Sequence, residues 1–168
     1  MRGVITQVSI SKGGLPKHAV SESWATPLGL EGDVHKHTQF HGGPKKALLL
    51  VSLEDVESLA ALGFPVGAGS LGENLTVSGI DFRQLRAGQR FLAGGAVVEL
   101  TTLRRPCAQL DVYNAGEGPK IQSYLYDERC RAGDASTPRW AMGGCYAAVV
   151  QPGPIRPGDI ISLADYTV

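Results

Sequence analysis

The chain has 168 residues, 43% hydrophobic and 19% charged, with 22 Gly, 10 Pro and a formal net charge of zero. That length and composition suit one ordinary soluble domain that closes its core without disulfides or a structural metal. Balanced charge excludes a global field for a nucleic-acid backbone or an anionic membrane, so direct nucleic-acid binding and membrane association are not expected.

The apolar stretches Ala47 to Val51 and Tyr146 to Val150 fall far short of a membrane span. The N-terminus turns polar too soon for a secretory signal, so a cytoplasmic location is expected. Cys107, Cys130 and Cys145 are an odd, widely spaced set without a C-x-x-C pair. They argue against a disulfide framework and a zinc knuckle, and leave at least one thiol free.

In chain order, the β-branched stretch from Gly3 to Ser11 predicts a first strand, closed by Lys12-Gly13-Gly14. The next thirty residues, to Gly43-Pro44, carry Pro16, Pro27 and all four histidines with no sustained period, and read as a long functional loop. Lys46 to Val51 predicts a buried strand. Ser52 then offers an N-cap with Glu54 and Asp55 in the first turn, and a helix follows until Gly63 and Pro65. Asn74 to Val77 and Val97 to Leu103 predict strands, and glycine turns at Gly88 and Gly158 each precede a strand. Lys120 to Asp127 predicts a short helix, 132–138 an irregular segment, and Cys145 to Val150 and Ile160 to Leu163 the last strands. Short strands with few helices predict a mainly β fold, a closed or nearly closed β-barrel with a few peripheral helices and a single domain over 1–168.

Two clusters carry chemistry. The stretch from Gly32 to Lys46 gathers His35, His37, His41, Lys45 and Lys46 around Gly42-Gly43. Three imidazoles can ligate a borderline metal, although two lysines repel a cation. The same glycines, lysines and His41 can instead receive a phosphate, and a solvated loop histidine is the plain alternative. In Arg104-Arg105-Pro106-Cys107, two guanidiniums flank a thiol, and cations favour the thiolate that attacks electrophiles or ligates soft metals. The competing reading is a half-buried cysteine after a proline. Cys130 is expected in an exposed irregular segment and Cys145 in the core. By itself, Gly72-Glu73-Asn74-Leu75-Thr76 reads as a turn before a strand. No P-loop or G-x-S-x-G element is present.

Taken together, Ser11-Lys12-Gly13-Gly14-Leu15-Pro16-Lys17, Gly32-Asp33, His41-Gly42-Gly43, Gly72-Glu73-Asn74-Leu75-Thr76, Arg105-Pro106-Cys107, Gly144-Cys145-Tyr146 and the turn from Gly153 to Asp159 resemble the MOSC domain family. That family takes its name from the C-terminal domain of molybdenum cofactor sulfurases. The resemblance covers nearly the whole chain. It implies a β-barrel and the molybdenum cofactor, a pyranopterin dithiolene carrying molybdenum, as in 6-N-hydroxylaminopurine reductase and the mitochondrial amidoxime-reducing component. It makes Cys107 the protein ligand to molybdenum. It also implies that Lys12, Lys17, His41, Lys45, Arg104 and Arg105 neutralise the cofactor phosphate or bond the pterin, with Glu73 and Asn74 on pterin nitrogens. Cys145 would bring a second thiol near the site.

The function implied is two-electron reduction of small N-oxygenated substrates, with His35, His37 or Asp33 as proton donor and electrons from a separate reductase or carrier. Two rivals remain open: a sulfur carrier using a Cys107 persulfide, and a cofactor-binding or storage module without turnover.

Overall fold

The computed structural model describes residues 1–34 and 42–164. Strands β1 (Arg2–Ile10), β2 (His18–Val20), β3 (Ser23–Thr26) and β4 (Gly29–Leu30) come first. After them come β5 (Leu48–Ser52), helix α1 (Leu53–Ala61), β6 (Leu75–Ser78), β7 (Arg90–Ala93) and β8 (Ala96–Leu103). Helices α2 (Ile121–Leu125) and α3 (Glu128–Arg131) precede β9 (Cys145–Gln151), β10 (Gly153–Ile155) and β11 (Ile160–Leu163).

Seven strands run in the order β11-β7-β8-β9-β5-β6-β1, and pairing of β11 with β1 closes them into a barrel, with β2 appended to β1. Closure removes the unpaired strand edges that an open sheet would leave. The β5–β6 pair is parallel, while the other neighbouring pairs of the barrel are antiparallel. Parallel neighbours need a crossover, and α1 supplies it. Its start is as expected: Ser52 Oγ accepts from the Asp55 amide at 3.3 Å, and Val56 and Leu59 turn inward.

β5 is buried throughout because apolar layers cover both its faces. Leu48 and Leu50 enter the barrel core with Ile5, Val77, Phe91 and Val98. Leu49 and Val51 instead join Leu59, Leu71, Leu110 and Tyr146 in a second cluster on the barrel's outer wall. The functional cleft grows from this second layer.

Three local expectations change. The long loop before Gly43 contains β2, β3 and β4; β3 also pairs with β10, giving a small second sheet. Strands of two to four residues are too short to show a period, and one partner of β3, β10, lies far along the chain. A 3-10 turn, Pro44–Lys46, occupies the start of the stretch expected as strand, so β5 begins at Leu48. Cys130 is buried on α3, which Asp127 caps by accepting from the Cys130 amide at 2.8 Å, rather than exposed in an irregular segment. Among the described residues no helix is long and apolar enough to cross a membrane.

Candidate functional site

A shallow cleft of about 70 Å3 lies against the outer wall of the barrel. Ser11, Lys17, Lys46, Asn74, Arg104 and Tyr146 provide its polar lining, with Leu15, Leu49 and Leu71 as apolar patches. Two close backbone approaches bring these segments together. Gly69, at φ +89°, receives the 13–17 loop so closely that a Cβ there would sit 2.3 Å from the Lys17 carbonyl oxygen, and the Lys17 amide donates to the Gly69 carbonyl at 2.9 Å. Gly144, at φ +93°, lies so near β5 that a Cβ would approach the Leu50 carbonyl oxygen to 2.4 Å; its own carbonyl accepts from the Arg104 amide at 2.9 Å. Only glycine combines that backbone conformation with that contact.

Arg104 is the most unusual cation of the cleft. It is 4% exposed; its Nη2 donates to the Leu71 carbonyl at 3.1 Å, and its Nη1 has no hydrogen-bond partner among the described residues. Burial lowers its pKa from the ordinary arginine value, opposed by Tyr146, Cys107 and Glu73. Arginine remains charged at neutral pH despite such a shift. A buried guanidinium with an unused donor is costly alone and becomes favourable when an anion takes that donor.

Cys107 is half-buried just beyond β8, at the start of the 3-10 turn Ala108–Tyr113, close enough to Arg104 and Tyr146 to act on the titration of both. Burial pushes the Tyr146 hydroxyl up; Arg104 opposes this and Cys107 adds to it. Lys46 Nζ lies 5.2 Å from the centre of the Tyr146 ring. Burial pushes the Cys145 thiol up to about 12, and Cys145 belongs to the barrel core while its neighbour Tyr146 faces the cleft. Strand alternation separates the two side chains, so Cys145 does not supply a second thiol to the cleft.

Asp33 sits at the centre of a buried polar cluster. Its Oδ1 accepts from the Ser11 amide at 2.9 Å; its Oδ2 accepts from Asn74 Nδ2 at 2.8 Å and from Lys17 Nζ in an ion pair. With three donors on its two oxygens, Asp33 is a positioning residue rather than a proton donor. Lys17 is correspondingly committed to Asp33. Asn74 also receives the Leu49 amide on Oδ1 at 3.1 Å and donates to the Ser9 carbonyl at 3.2 Å, which uses both its Nδ2 protons inside the protein. Glu73 is fully buried, and its carboxylate accepts from the Gly69 and Leu71 amides and from Thr76 Oγ1 at 2.6, 3.1 and 3.1 Å. Burial raises its pKa and these bonds oppose the rise. Glu73 and Asn74 thus build the wall of the cleft rather than offering free groups to a pterin.

The remaining expected residues divide. Lys12 and Lys45 are exposed and do not line the cleft; Lys46, beside Lys45, does. Arg105 is exposed and faces a different cavity. His35, His37 and His41 lie outside the described residues. Tyr146 and Gln109 line the cleft without having been singled out as site residues. The motif Gly144-Cys145-Tyr146 was the available signal for Tyr146, whereas Gln109 had none.

Thiol labelling tests this geometry directly. Iodoacetamide is expected to modify Cys107 alone in the folded protein and all three thiols after unfolding, because Cys130 and Cys145 are each 4% exposed. Peptide mass mapping reads the outcome, and equal labelling of Cys145 and Cys107 would contradict the assignment of faces.

The architecture is that of a small closed β-barrel carrying a cationic cleft on its outer wall, with Cys107 outside the lining but in electrostatic reach of two lining residues, Arg104 and Tyr146. The family model of the MOSC domain matches residues 37–162, and the chain belongs to that family, which is associated with molybdenum cofactor binding. YiiM of Escherichia coli is 33% identical over 97 residues, covering 55% of this chain and 43% of that protein. An uncharacterized protein of Bacillus subtilis, YflK, is 35% identical over 81 residues, covering 48% and 37%. The matches therefore span about two-fifths of these relatives' length. Among solved structures, YiiM of Geobacillus stearothermophilus superposes with a TM-score of 0.69 at 23% identity, over 99% of this chain and 77% of that one. The YUAD protein of Bacillus subtilis gives 0.69 at 25% identity, over 99% and 98%.

Proposed function

We propose that the cleft binds the molybdenum cofactor and that the protein reduces small N-hydroxylated compounds. The observation that carries this reading is Arg104, buried, cationic and with Nη1 unused, lining a cleft beside Cys107. A phosphate would satisfy Nη1, with Lys46 at the same cleft adding charge. Gly14, Gly42 and Gly72 also line the cleft and let a ligand approach the backbone; a Cβ built on Gly14 would have no atom within 4 Å. The residues present fit the phosphate end of such a cofactor.

Cys107 would hold the metal through its sulfur, the soft donor that a thiophilic metal selects. When bound, the cofactor supplies a two-electron redox centre able to accept an oxygen atom from an N–O bond. The chain does the rest. Arg104 fixes the phosphate end, the Asp33–Lys17–Asn74 cluster holds the 11–17 loop against β6, and Leu15, Leu49 and Leu71 exclude water from the wall. Tyr146 lines the cleft in electrostatic reach of both Arg104 and Cys107, so its hydroxyl can hold a proton there.

The test is metal and pterin analysis of protein purified from a host that makes the cofactor, followed by turnover of 6-N-hydroxylaminopurine with a chemical electron donor. About one molybdenum and one pterin per chain with turnover is the expected result. Arg104→Met is expected to lower pterin content at least tenfold, because a charge-assisted bond from a buried donor is worth about 1.5–3 kcal/mol. Stoichiometric cofactor without turnover on several N-hydroxylated substrates would leave a storage module. A Cys107 persulfide without molybdenum would make the protein a sulfur carrier instead.

A further inference from the structure

The second cavity lies at one mouth of the barrel. It encloses about 300 Å3, within the size range of small-molecule sites. Leu85, Leu100, Leu103 and Cys145 give it an apolar interior, and Tyr126 and Trp140 form aromatic walls. Three arginines, Arg86, Arg105 and Arg131, line it, and no carboxylate appears among its lining residues. Asp127 is engaged by the Cys130 amide at 2.8 Å and Thr137 Oγ1 at 2.7 Å, whereas Glu128 pairs with Arg131 at 3.6 Å, so Arg86 and Arg105 are the arginines of the cavity without a carboxylate partner among the described residues.

Two of these guanidiniums are held in place by aromatic faces. Arg86 lies 5.2 Å from the centre of the Trp140 ring, and its Nη1 donates to the Arg83 and Leu85 carbonyls at 2.7 Å each. The Trp140 indole N–H donates to the same Leu85 carbonyl at 2.9 Å, which fixes the ring. Arg105 lies 5.9 Å from the Tyr126 ring centre. Stacking of this kind restrains a planar fork before any ligand arrives, and a restrained fork loses less entropy when it binds an oxyanion. The Nε and Nη2 donors of Arg86 have no protein partner among the described residues.

We propose that this barrel mouth is a second ligand site, which takes a small aromatic anion with its ring against the apolar interior and its carboxylate or phosphate head on the arginines. The site stands apart from the first cleft because β9 directs Cys145 and Tyr146 to opposite faces and the chain leaving β8 divides Arg104 from Arg105. Arg104 and Tyr146 go to the cleft, whereas Arg105 and Cys145 go to the mouth.

The chain has two tryptophans, so a Trp24→Phe background leaves Trp140 as the only reporter. Titration with 1-naphthoate and with 1-naphthyl phosphate is expected to quench Trp140 with saturation below the millimolar range; the tighter of the two identifies the head group. Binding is expected to weaken at least tenfold in Arg105→Ala and in Arg86→Gln, and to persist in Cys107→Ser. The neutral 1-naphthamide and inorganic phosphate are expected to bind at least tenfold more weakly, since each lacks half of the recognised chemistry. Failure of both naphthyl anions to bind, equal binding by naphthamide or by inorganic phosphate, or unchanged affinity in the arginine variants would each overturn the proposal.

Discussion

Replacing Cys107 by serine is expected to remove molybdenum from the purified protein and lower reduction of 6-N-hydroxylaminopurine at least a hundredfold. The side chains are nearly isosteric, so the loss reports the donor atom rather than the shape. A serine hydroxyl remains protonated at neutral pH and is a hard donor, whereas a thiolate is a soft one that a thiophilic metal retains. The position is half-buried and caps nothing through its side chain. Stability should therefore change by no more than about 0.5 kcal/mol. Metal analysis, thermal unfolding and steady-state turnover on one preparation separate the effects. Full molybdenum content in the serine variant would refute Cys107 as ligand, and lost activity with a lowered unfolding midpoint would expose a folding defect.

The second large effect falls on Asp33. Asp33→Ala should destabilise the fold by about 3–5 kcal/mol, because it strands the Lys17 ammonium in a site only 9% exposed and removes acceptors from Ser11 and Asn74. For a chain of this length, that lowers the unfolding midpoint by roughly 6–20 °C. The double variant Asp33→Asn, Lys17→Met should recover at least half of the loss, since it removes both charges and keeps an acceptor for the Ser11 amide. Denaturant unfolding of the two variants measures the difference. A loss below about 1 kcal/mol in the single variant would show that the ion pair contributes little to holding the 11–17 loop.

These two residues illustrate how far the sequence could be read. Cys107 could be singled out because its surroundings are local: a thiol following two arginines and a proline has a small set of uses wherever the fold places it. The Ser52 cap, the acidic first turn of α1 and the apolar run of β5 were legible for the same reason, each depending on neighbours within a few residues. Asp33 was noticed as a candidate proton donor, but its hydrogen-bond partners were not foreseen. Its partners Ser11, Lys17 and Asn74 come from three other segments, and nothing in the Gly32-Asp33 pair announces that three donors converge on it.

By itself, the sequence determined the strand-rich class, the main helix, the order of the motifs and the family resemblance that the MOSC match bears out. Only the tertiary structure decided which member of each adjacent pair serves the cleft: Arg104 over Arg105, Lys46 over Lys45, Tyr146 over Cys145. The reason is geometric. On β9 neighbouring side chains point to opposite faces, Arg104 and Arg105 follow the end of β8, Lys45 and Lys46 sit in a 3-10 turn, and composition does not tell which direction the second apolar layer will cover. That was settled when the chain closed β11 onto β1 and packed Leu59, Leu71 and Leu110 against one side of β5 and β9, so that a charge one residue away emptied into another cavity.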